Sequence, residues 1–400
     1  MSNAPHHEVP TFGDPDSPPE GELNIKDDPA SGKMFGPQNP VIEGQFPDVV
    51  HSPATDISTQ PFFWSSFNIS PRRVQRGGWA REVTQSDFAI SDAISGVNMY
   101  LEPGGIRELH WHQTAEWAIM TRGDVRVTTI SAEGKASVED VHPGDLWYFP
   151  AGLPHSLQAL GGEGAEFVLA FDDGAQSESN TLLLTDWTAH TPPEILAKNF
   201  GVSEDVFKDI PTSQLWIFQG DVPGSLEDDQ KAARVAWGDT EPVIFRLGQS
   251  EPVRQNSGGK IQIADSLNFP ASQTVAAALV TLEPGAMREL HWHPNADEWQ
   301  YWLAGEGRMT VFNTGPHANT NNFKAGDIAV IKKNLGHYIE NTGDTPAVFV
   351  ETFVAPRYEE VSLANWLGHL PPELVSAHLN IPVDVLKTFP QDTQGITPIR

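Results

Sequence analysis

The sequence predicts an all-β protein made of two copies of one small barrel, each copy followed by short helices. Three observations support this fold class. The 400-residue chain contains an internal repeat, its repeated segments are mostly short runs of β-branched and aromatic residues, and each copy ends in a helical pattern that begins at two prolines. Strands followed by helices, twice over, indicate two β-barrels or double-sheet rolls with appended helices.

The repeat is followed through the chain by its spacing. LEPGGIRELHWH in the first copy matches LEPGAMRELHWH in the second at a spacing of 181 residues, which becomes 182 at Glu116 and Glu298. Beyond Phe171 and Phe353 the spacing falls to 179, so the first copy carries three more residues in the segment after Phe171. Such a difference between two copies predicts a surface loop in the longer one.

The repeat also predicts the domain organisation. A loosely structured N-terminal arm is expected over residues 1–60, because this segment is acidic and rich in proline and glycine. The first barrel domain is expected over residues 61–235 and the second over residues 236–400. The arm could reach across the other barrel.

Within each copy, individual elements are recognised by their residue types. VRVTTI, DLWYFP and AEFVLAF predict strands in the first copy, and RMTVF, DIAVI and AVFVETF predict strands in the second. PPEILAKNF and PPELVSAHL predict helices, since proline is tolerated in the first helical turn.

Composition excludes several classes of partner. A formal net charge of −28 argues against binding to nucleic acid or to an anionic membrane surface. The sequence has no apolar run of about 18 residues, the length that a transmembrane helix needs. Its first 60 residues do not resemble a signal peptide, so we expect a cytoplasmic location, or a secreted one if a leader has been removed. The chain has no cysteine, which excludes disulfides and thiolate metal sites.

Histidines give the strongest functional signal. Side chains alternate along a strand, so His110 and His112 point to one face, and a turn must separate them from Glu116 on the next strand. Three imidazoles and a carboxylate inside a barrel form a metal site. The alternative is a hydrogen-bonded core without metal, but two complete sets in register favour metal. The predicted ligands are His110, His112, Glu116 and His155 in the first copy, and His291, His293, Glu298 and His337 in the second.

These ligands leave the metal open. Imidazole suits Zn, Cu, Fe and Ni, whereas an anionic oxygen ligand favours Mn or Fe. Four protein ligands leave one or two coordination positions for a small ligand or dioxygen, so the site could be catalytic.

Two motifs resemble those of the cupin superfamily. Gly-x5-His-x-His-x3/4-Glu-x6-Gly, from Gly104 to Gly123 and from Gly285 to Gly305, resembles the first cupin motif, and GDLWYFPAGLPH resembles the second. In the second copy Lys332 and Asn334 stand where proline and glycine are usual. RELHWH, DLWYFPAGLPHS, FDDG, LTDW and AHTP together resemble the bicupin oxalate decarboxylases, from about residue 60 onward.

The resemblance implies a duplicated cupin fold, also called a double-stranded β-helix or jelly-roll barrel. It further implies one Mn(II) per barrel and therefore two per chain, oxalate as substrate, dioxygen as co-reactant, and assembly into a homo-oligomer such as a trimer or hexamer. Two alternatives share these ligands. One is an oxalate oxidase, which yields hydrogen peroxide and carbon dioxide instead of formate, and the other is a metal-binding storage bicupin without turnover.

The segment SESNT distinguishes between these alternatives. It lies where the first copy is three residues longer, and the resemblance implies a lid there whose glutamate, Glu178, protonates the intermediate. Without the resemblance, Glu178 would be interpreted as a solvated surface residue. The lid comprises Glu178 together with Ser177, Ser179, Asn180 and Thr181.

An anionic substrate also needs a positive partner. Arg107 is the candidate in the first copy and Arg288 is its counterpart in the second. Strict alternation turns Arg107 away from the histidines, so a bulge or bend after Pro103-Gly104-Gly105 is expected to bring it inside. The alternative is a surface arginine paired with a carboxylate.

The second copy has no SESNT, but it carries Glu351 where the first copy has Leu169. Glu351 is thus a second candidate proton donor. We expect turnover in the first barrel and a structural or supporting role for the second.

Overall fold

The computed structural model describes residues 37, 39–46, 63–233, 242–314 and 317–399. Of the predicted arm over residues 1–60, only residues 37 and 39–46 fall within these ranges, and the rest of the arm lies outside them. The described part contains helix α1 (Pro40–Gln45), whose first turn is capped by the side chain of Asn39. The Asn322 side chain of the second barrel donates to the Gly44 carbonyl at 2.7 Å, so α1 lies against that barrel.

The chain folds mainly into short strands. The strands up to the start of the second repeat are β1 (Trp64–Ser66), β2 (Arg73–Gln75), β3 (Gly78–Val83), β4 (Ser95–Leu101), β5 (Gly105–Trp111), β6 (Glu116–Arg122), β7 (Val125–Ile130), β8 (Ala136–Val141), β9 (Leu146–Phe149), β10 (His155–Ala159), β11 (Ala165–Phe171), β12 (Leu182–Leu183), β13 (Ile217–Gln219) and β14 (Ile244–Phe245).

The second repeat mirrors this order. Its strands are β15 (Arg254–Asn256), β16 (Gly259–Ala264), β17 (Ala276–Leu282), β18 (Met287–Trp292), β19 (Glu298–Ala304), β20 (Glu306–Asn313), β21 (His317–Lys324), β22 (Asp327–Ile331), β23 (His337–Asn341), β24 (Ala347–Phe353), β25 (Val361–Ser362) and β26 (Ile396–Thr397).

Each barrel consists of two antiparallel sheets. In the first barrel a seven-stranded sheet runs β14-β9-β6-β11-β4-β3-β2, and a six-stranded sheet runs β12-β5-β10-β7-β8 with β13 also on β5. In the second barrel the corresponding orders are β1-β22-β19-β24-β17-β16-β15 and β21-β20-β23-β18-β25 with β26 on β18. The predicted all-β fold of two barrels is therefore confirmed.

The two barrels exchange strands. β1, which precedes the first barrel, pairs with β22 of the second, and β14, which precedes the second barrel, pairs with β9 of the first. Each seven-stranded sheet is thus completed by a strand from the other half of the chain.

Among the described residues, the three largest apolar clusters form the core of the molecule. One core lies inside each barrel, around Trp147 and Phe167 in the first and around Trp302 and Phe349 in the second. A third core joins side chains from both seven-stranded sheets, among them Trp117 and Trp299, so the sheets pack against each other. Burial of these large side chains stabilises the pair of barrels by about 25 cal/mol for each Å² of apolar surface removed from water.

Helices lie outside the sheets. They are α2 (Leu184–Ala189), α3 (Pro193–Phe200), α4 (Leu226–Ala232), α5 (Leu363–Gly368), α6 (Pro372–Leu379) and α7 (Val383–Leu386). Both predicted proline-led helices are observed as α3 and α6. α3 ends at Gly201 and α6 at Asn380, two residue types that tolerate the left-handed backbone found there. Among the described residues, no helix combines the length and apolarity needed to cross a bilayer.

Candidate metal centres

The fold brings all four predicted ligands of the first barrel together. His110, His112, Glu116 and His155 are buried, and one potential ligand atom from each lies within 4.8 Å of the others. As predicted, a turn separates the histidine pair at the end of β5 from Glu116, the first residue of β6. His155 begins β10 and lies directly opposite His110. We call this set the first metal centre.

The second barrel repeats the arrangement. His291, His293, Glu298 and His337 are buried and equally close, and we call them the second metal centre. Asn334 adopts a left-handed conformation with φ of 68°, as Gly152 does in the first barrel with φ of 82°. Its amide donates to the His293 carbonyl at 3.0 Å, just as the Gly152 amide donates to the His112 carbonyl at 2.8 Å. Asparagine therefore preserves the turn that places the last histidine.

Hydrogen bonds fix the ring nitrogens that face the centre. Nδ1 of His110 donates to the Glu108 carbonyl at 2.6 Å, and Nδ1 of His155 donates to the Leu153 carbonyl at 2.8 Å. A carbonyl can only accept, so each of these Nδ1 atoms carries the proton and the opposite Nε2 atom presents a lone pair. This tautomer is the one required for binding a metal through Nε2.

The inward atoms lack hydrogen-bond partners. Nε2 of His112 lies 3.1 Å and Nε2 of His155 lies 3.3 Å from Oε2 of Glu116, and none of these three buried atoms has a hydrogen bond within the described part of the chain. Burial lowers the pKa of His112, which favours the neutral ring. Burial also raises the pKa of Glu116, but the imidazoles of His155 and His112 outweigh this effect, and the net pKa is well below its usual range. Lone pairs that converge without protons fit a divalent cation.

The two centres differ in the groups behind the ligands. Nδ1 of His112 is buried and has no hydrogen-bond partner among the residues that the structure describes, whereas Nδ1 of His293 donates to the Glu359 carbonyl at 2.7 Å. Oε1 of Glu116 accepts from the Trp147 indole at 2.8 Å, and the matching oxygen of Glu298 accepts from the Gln300 side chain. The second centre therefore orients His293 by a hydrogen bond that its counterpart His112 does not have among the described residues.

Arg107 points into the first barrel. It is only 1% exposed, which makes the interpretation as a surface arginine wrong. A bulge causes this orientation, because Arg107 lies opposite Leu157 while His110 lies opposite His155, so three steps on β5 match two on β10. A bulge or bend was expected after Pro103-Gly104-Gly105, and the structure has it between Arg107 and His110. β18 has the same irregularity between Arg288 and His291.

The predicted lid segment, residues 177–181, lies against Arg107. Glu178 is only 12% exposed, so it is not a solvated surface residue, and its carboxylate lies 3.6 Å from Nη2 of Arg107 and pairs with Arg73. The Glu178 amide donates to Glu82 at 2.7 Å, and the Thr181 hydroxyl accepts from Arg107 at 3.5 Å.

The remaining lid residues shape its turn. Glu178–Asn180 form a single 3₁₀ turn, and the Ser177 hydroxyl caps it by accepting from the Ser179 amide at 3.1 Å. The Asn180 side chain donates to the Ala175 carbonyl at 3.2 Å. These short-range bonds hold the lid in one compact conformation.

Trp216 is a neighbour of Arg107 that the sequence did not indicate. Its carbonyl accepts from Nη1 of Arg107 at 3.3 Å, and its ring lies 4.5 Å from the Arg73 guanidinium carbon and 5.4 Å from that of Arg107. Trp216 has a left-handed backbone with φ of 55°, and its amide donates to buried Glu108 at 2.5 Å. A tryptophan in a long connection gives no pattern from which this role could be predicted.

In the second barrel a fixed carboxylate replaces the lid. Arg288 is fully buried and pairs with Glu360, and its Nη2 also donates to the Tyr358 hydroxyl at 2.7 Å. Glu360 directly precedes β25, so it occupies the position that Thr181 has before β12. Burial lowers the pKa of Arg288, but Glu360 and Tyr358 outweigh it and the pKa is raised, whereas burial prevails at Arg107 and its pKa is lowered. The sequence did not single out Glu360 or Tyr358.

Glu351 lies deep in the second barrel. It is 0% exposed, and neither carboxylate oxygen has a hydrogen bond to any described residue. Its nearest cation is Arg288, with 3.8 Å between Nε and Oε1. Burial, reinforced by the charge of Glu298, raises the pKa of Glu351 to about 8. A carboxyl group in this environment is protonated near neutral pH.

The fold and the sites define a class of protein, two cupin barrels in one chain with a buried centre of three histidines and one glutamate in each. The cupin family model matches residues 65–208 and 245–385. The chain is 50% identical over 349 residues to an oxalate decarboxylase of Bacillus subtilis, covering 87% of this chain and 90% of that protein. It is also 37% identical to a probable oxalate decarboxylase of Arthroderma benhamiae, covering 91% of each.

Solved structures give the same result. A structure of the Bacillus subtilis oxalate decarboxylase, from work on its Mn(II) centres, superimposes with a TM-score of 0.87 at 46% identity and covers 92% of this chain and 97% of that one. The chain belongs to the bicupin oxalate decarboxylase family of the cupins.

Proposed function

We propose that this protein is an oxalate decarboxylase that converts oxalate to formate and carbon dioxide in its first barrel, with Mn(II) in both centres and dioxygen as co-reactant. The observation that supports this most strongly is the pairing of Arg107 with Glu178. Among the described residues, the carboxylate that pairs with Arg107 belongs to the longer segment of the first copy, whereas Arg288 is paired with Glu360, which directly precedes β25 in the shorter connection of the second copy. Opening the lid exposes a buried cation to an anionic substrate.

The reaction moves one proton onto carbon. Cleavage of the C–C bond of oxalate releases carbon dioxide, and the remaining carbon takes up a proton to become formate. The first metal centre, through His110, His112, Glu116 and His155, would hold manganese, which supplies reversible one-electron chemistry and binds oxalate oxygen.

The side chains around the centre perform the other tasks. Arg107 binds and polarises a carboxylate of oxalate, and the Trp216 carbonyl orients the arginine by accepting a hydrogen bond from it. Glu178 holds and transfers the proton, because it is the lid carboxylate beside Arg107. A closed lid excludes water, so the proton rather than dioxygen reaches the carbon.

The second barrel has a supporting role in this proposal. Arg288 is already paired with Glu360 and Tyr358, so it offers less attraction to a dianion. Glu351 stays a second candidate proton donor. The second metal centre contributes mainly to the stability of its barrel.

A homo-oligomer, such as a trimer or hexamer, is part of the proposal. Large apolar side chains are exposed near both sites, including Trp187 at 64%, Phe312 at 56% and Trp366 at 50%. Exposed aromatic surface of this kind is typical of subunit interfaces. Light scattering of the metal-loaded protein tests this part, and a monomer would refute it.

The test of the activity is product analysis. Manganese-loaded protein is given oxalate in air, and formate, carbon dioxide and hydrogen peroxide are measured together. The proposal requires formate and carbon dioxide in equal amounts with little peroxide. Peroxide with carbon dioxide and no formate would make the protein an oxidase, and absence of turnover with two bound metals would make it a storage protein.

A further inference from the structure

Lys332 connects the two barrels. It stands where the first copy has Pro150, and its ammonium group pairs both with Asp297 of its own barrel and with Asp92 of the first barrel. Burial lowers the pKa of Lys332, but the two aspartates outweigh this and the pKa is raised. Asp297 also accepts from the Lys333 amide at 2.8 Å and directly precedes the ligand Glu298. The lysine therefore links the second metal centre to a loop of the first barrel.

The loop at Asp92 in turn packs against the base of the lid. The Gly174 amide donates to the Asp92 carbonyl at 3.2 Å, and the Gly174 carbonyl accepts from the Gln85 amide at 2.8 Å. A β-carbon at Gly174 would lie 2.1 Å from the Ser91 carbonyl oxygen, so only glycine permits this approach. The lid begins three residues after Gly174, at Ser177.

A second bridge meets the same segment from its other end. The Thr274 hydroxyl of the second barrel donates to Oδ2 of Asp172 at 2.6 Å and lies 2.9 Å from the Tyr148 hydroxyl. Oδ1 of Asp172 accepts from the Ala115 amide at 2.9 Å, directly before the ligand Glu116. One carboxylate thus joins the second barrel, the base of the lid and the first metal centre.

We propose that Lys332 and Thr274 are positioning residues by which the second barrel holds the base of the lid, residues 172–174, against the first barrel and so keeps Glu178 beside Arg107. The bridges themselves are independent of the proposed function, and only their effect on products rests on it. The second barrel then has a defined contribution to the first centre. It fixes the closed lid without contacting substrate.

Hydrogen exchange of the lid tests the proposal without turnover. Lys332→Met keeps the length of the side chain but removes both ion pairs, and we expect amide exchange at residues 175–181 in the metal-free protein to become about five-fold faster, as for the loss of an ion-pair contribution of about 1 kcal/mol. Lys332→Arg should restore slow exchange. Lys333→Met is the matched control, because Lys333 contacts Asp297 through its backbone amide, which the substitution retains.

The threonine arm is designed in the same way. Thr274→Val removes the hydroxyl at nearly constant size and should also accelerate lid exchange, while Thr274→Ser should not. Unchanged lid exchange in both Lys332→Met and Thr274→Val would overturn the proposal. So would faster exchange spread equally over both barrels, since that indicates only a loss of general stability.

Product analysis of the manganese-loaded variants gives an independent test of this positioning role. If the lid is held less firmly, water and dioxygen reach the centre more often, so the share of oxalate that yields peroxide should rise in Lys332→Met and not in Lys333→Met. If lid exchange is faster in the variants but the unmodified protein produces no formate, the positioning role of Lys332 and Thr274 stands and the proposed function is refuted.

Discussion

Nη2 of Arg107 lies 3.6 Å from Oε1 of Glu178, so a fully buried guanidinium meets a lid carboxylate beside the first metal centre. Burial lowers the pKa of Arg107, and Glu178 offsets this in part. In the proposed mechanism the lid opens, the guanidinium loses this counterion, and an incoming dianion takes its place. The lid and the substrate would then compete for one cation.

Glu178→Gln should abolish most formate production. Glutamine keeps the size of the side chain but has no transferable proton, and general acid–base catalysis typically contributes about 10² to 10⁴ in rate. We expect a loss of at least about 100-fold in formate production, some diversion of oxalate to peroxide and carbon dioxide, and unchanged metal content. Formate and peroxide assays with metal analysis provide the measurement.

Glu351→Gln is the matched comparison in the second barrel. It should lose much less activity, because Glu351 does not lie on a lid and its side chain is fully buried in the second barrel. If the Glu351 variant is inactive while the Glu178 variant turns over normally, the assignment of catalysis to the first barrel is wrong.

Arg107→Lys should impair oxalate binding although the charge is kept. Arg107 donates to Trp216 and Thr181 from two different nitrogens, a fork that a single ammonium group cannot reproduce. We expect KM for oxalate to rise about ten-fold and kcat to fall, as for the loss of one charge-assisted hydrogen bond. Steady-state kinetics measure both. Kinetics equal to the unmodified protein would show that Arg107 does not touch substrate.

Metal removal should empty the first centre before the second. Nδ1 of His112 lacks the carbonyl partner that Nδ1 of His293 has in Glu359, and loss of such a partner typically weakens metal binding about 10- to 100-fold. Dialysis against a chelator, followed by metal analysis, should pass through a state with about one manganese per chain.

His112→Ala should lose only the first metal and His293→Ala only the second. Equal loss from both centres in either variant would contradict two independent sites.

The buried carboxyl group of Glu351 should make stability depend on pH. Its pKa is raised from 4.5 to about 8 in the folded protein, so between these values the folded state keeps a proton that the unfolded chain has released. Stability from this group is present below about pH 4.5 and is lost as the pH rises through about 8. The glutamine in Glu351→Gln is neutral at every pH, so the stability of this variant should not show this decrease.

Urea unfolding of the metal-free proteins at pH 5 and pH 8.5 gives the measurement. The free energy of unfolding of the unmodified protein should fall relative to Glu351→Gln by at least about 1 kcal/mol, since one pKa unit corresponds to about 1.4 kcal/mol. If the free energy of unfolding changes equally in the two proteins between pH 5 and pH 8.5, Glu351 is ionised in the folded protein.

Local patterns in the sequence were sufficient to predict which side chains come together in each candidate metal centre. The two copies place the same His-x-His pair and glutamate in register, and alternation along a strand shows that a turn must follow. The same alternation showed that Arg107 needs a bulge or bend after Gly105, although it did not give the residues that form it. The bulge depends on how β10 pairs with β5, which the sequence of β5 alone does not contain.

Other groups at the sites were beyond prediction for a physical reason. Trp216 and Glu360 reach the arginines from connections between elements, and the paths of such connections are set by tertiary packing rather than by periodicity. The exchanged strands β1 and β14 are only three and two residues long, too short to carry an alternating pattern.

The exchange of β1 and β14 bears on how this chain can be divided. A cut between residues 233 and 242 gives one fragment that keeps β1 and another that keeps β14, so each fragment lacks the edge strand of its own barrel and carries that of the other. Expressed alone, each half would present an open sheet edge prone to self-association. Expressed together, the halves should recover as one non-covalent heterodimer, because neither barrel is complete without a strand from its partner.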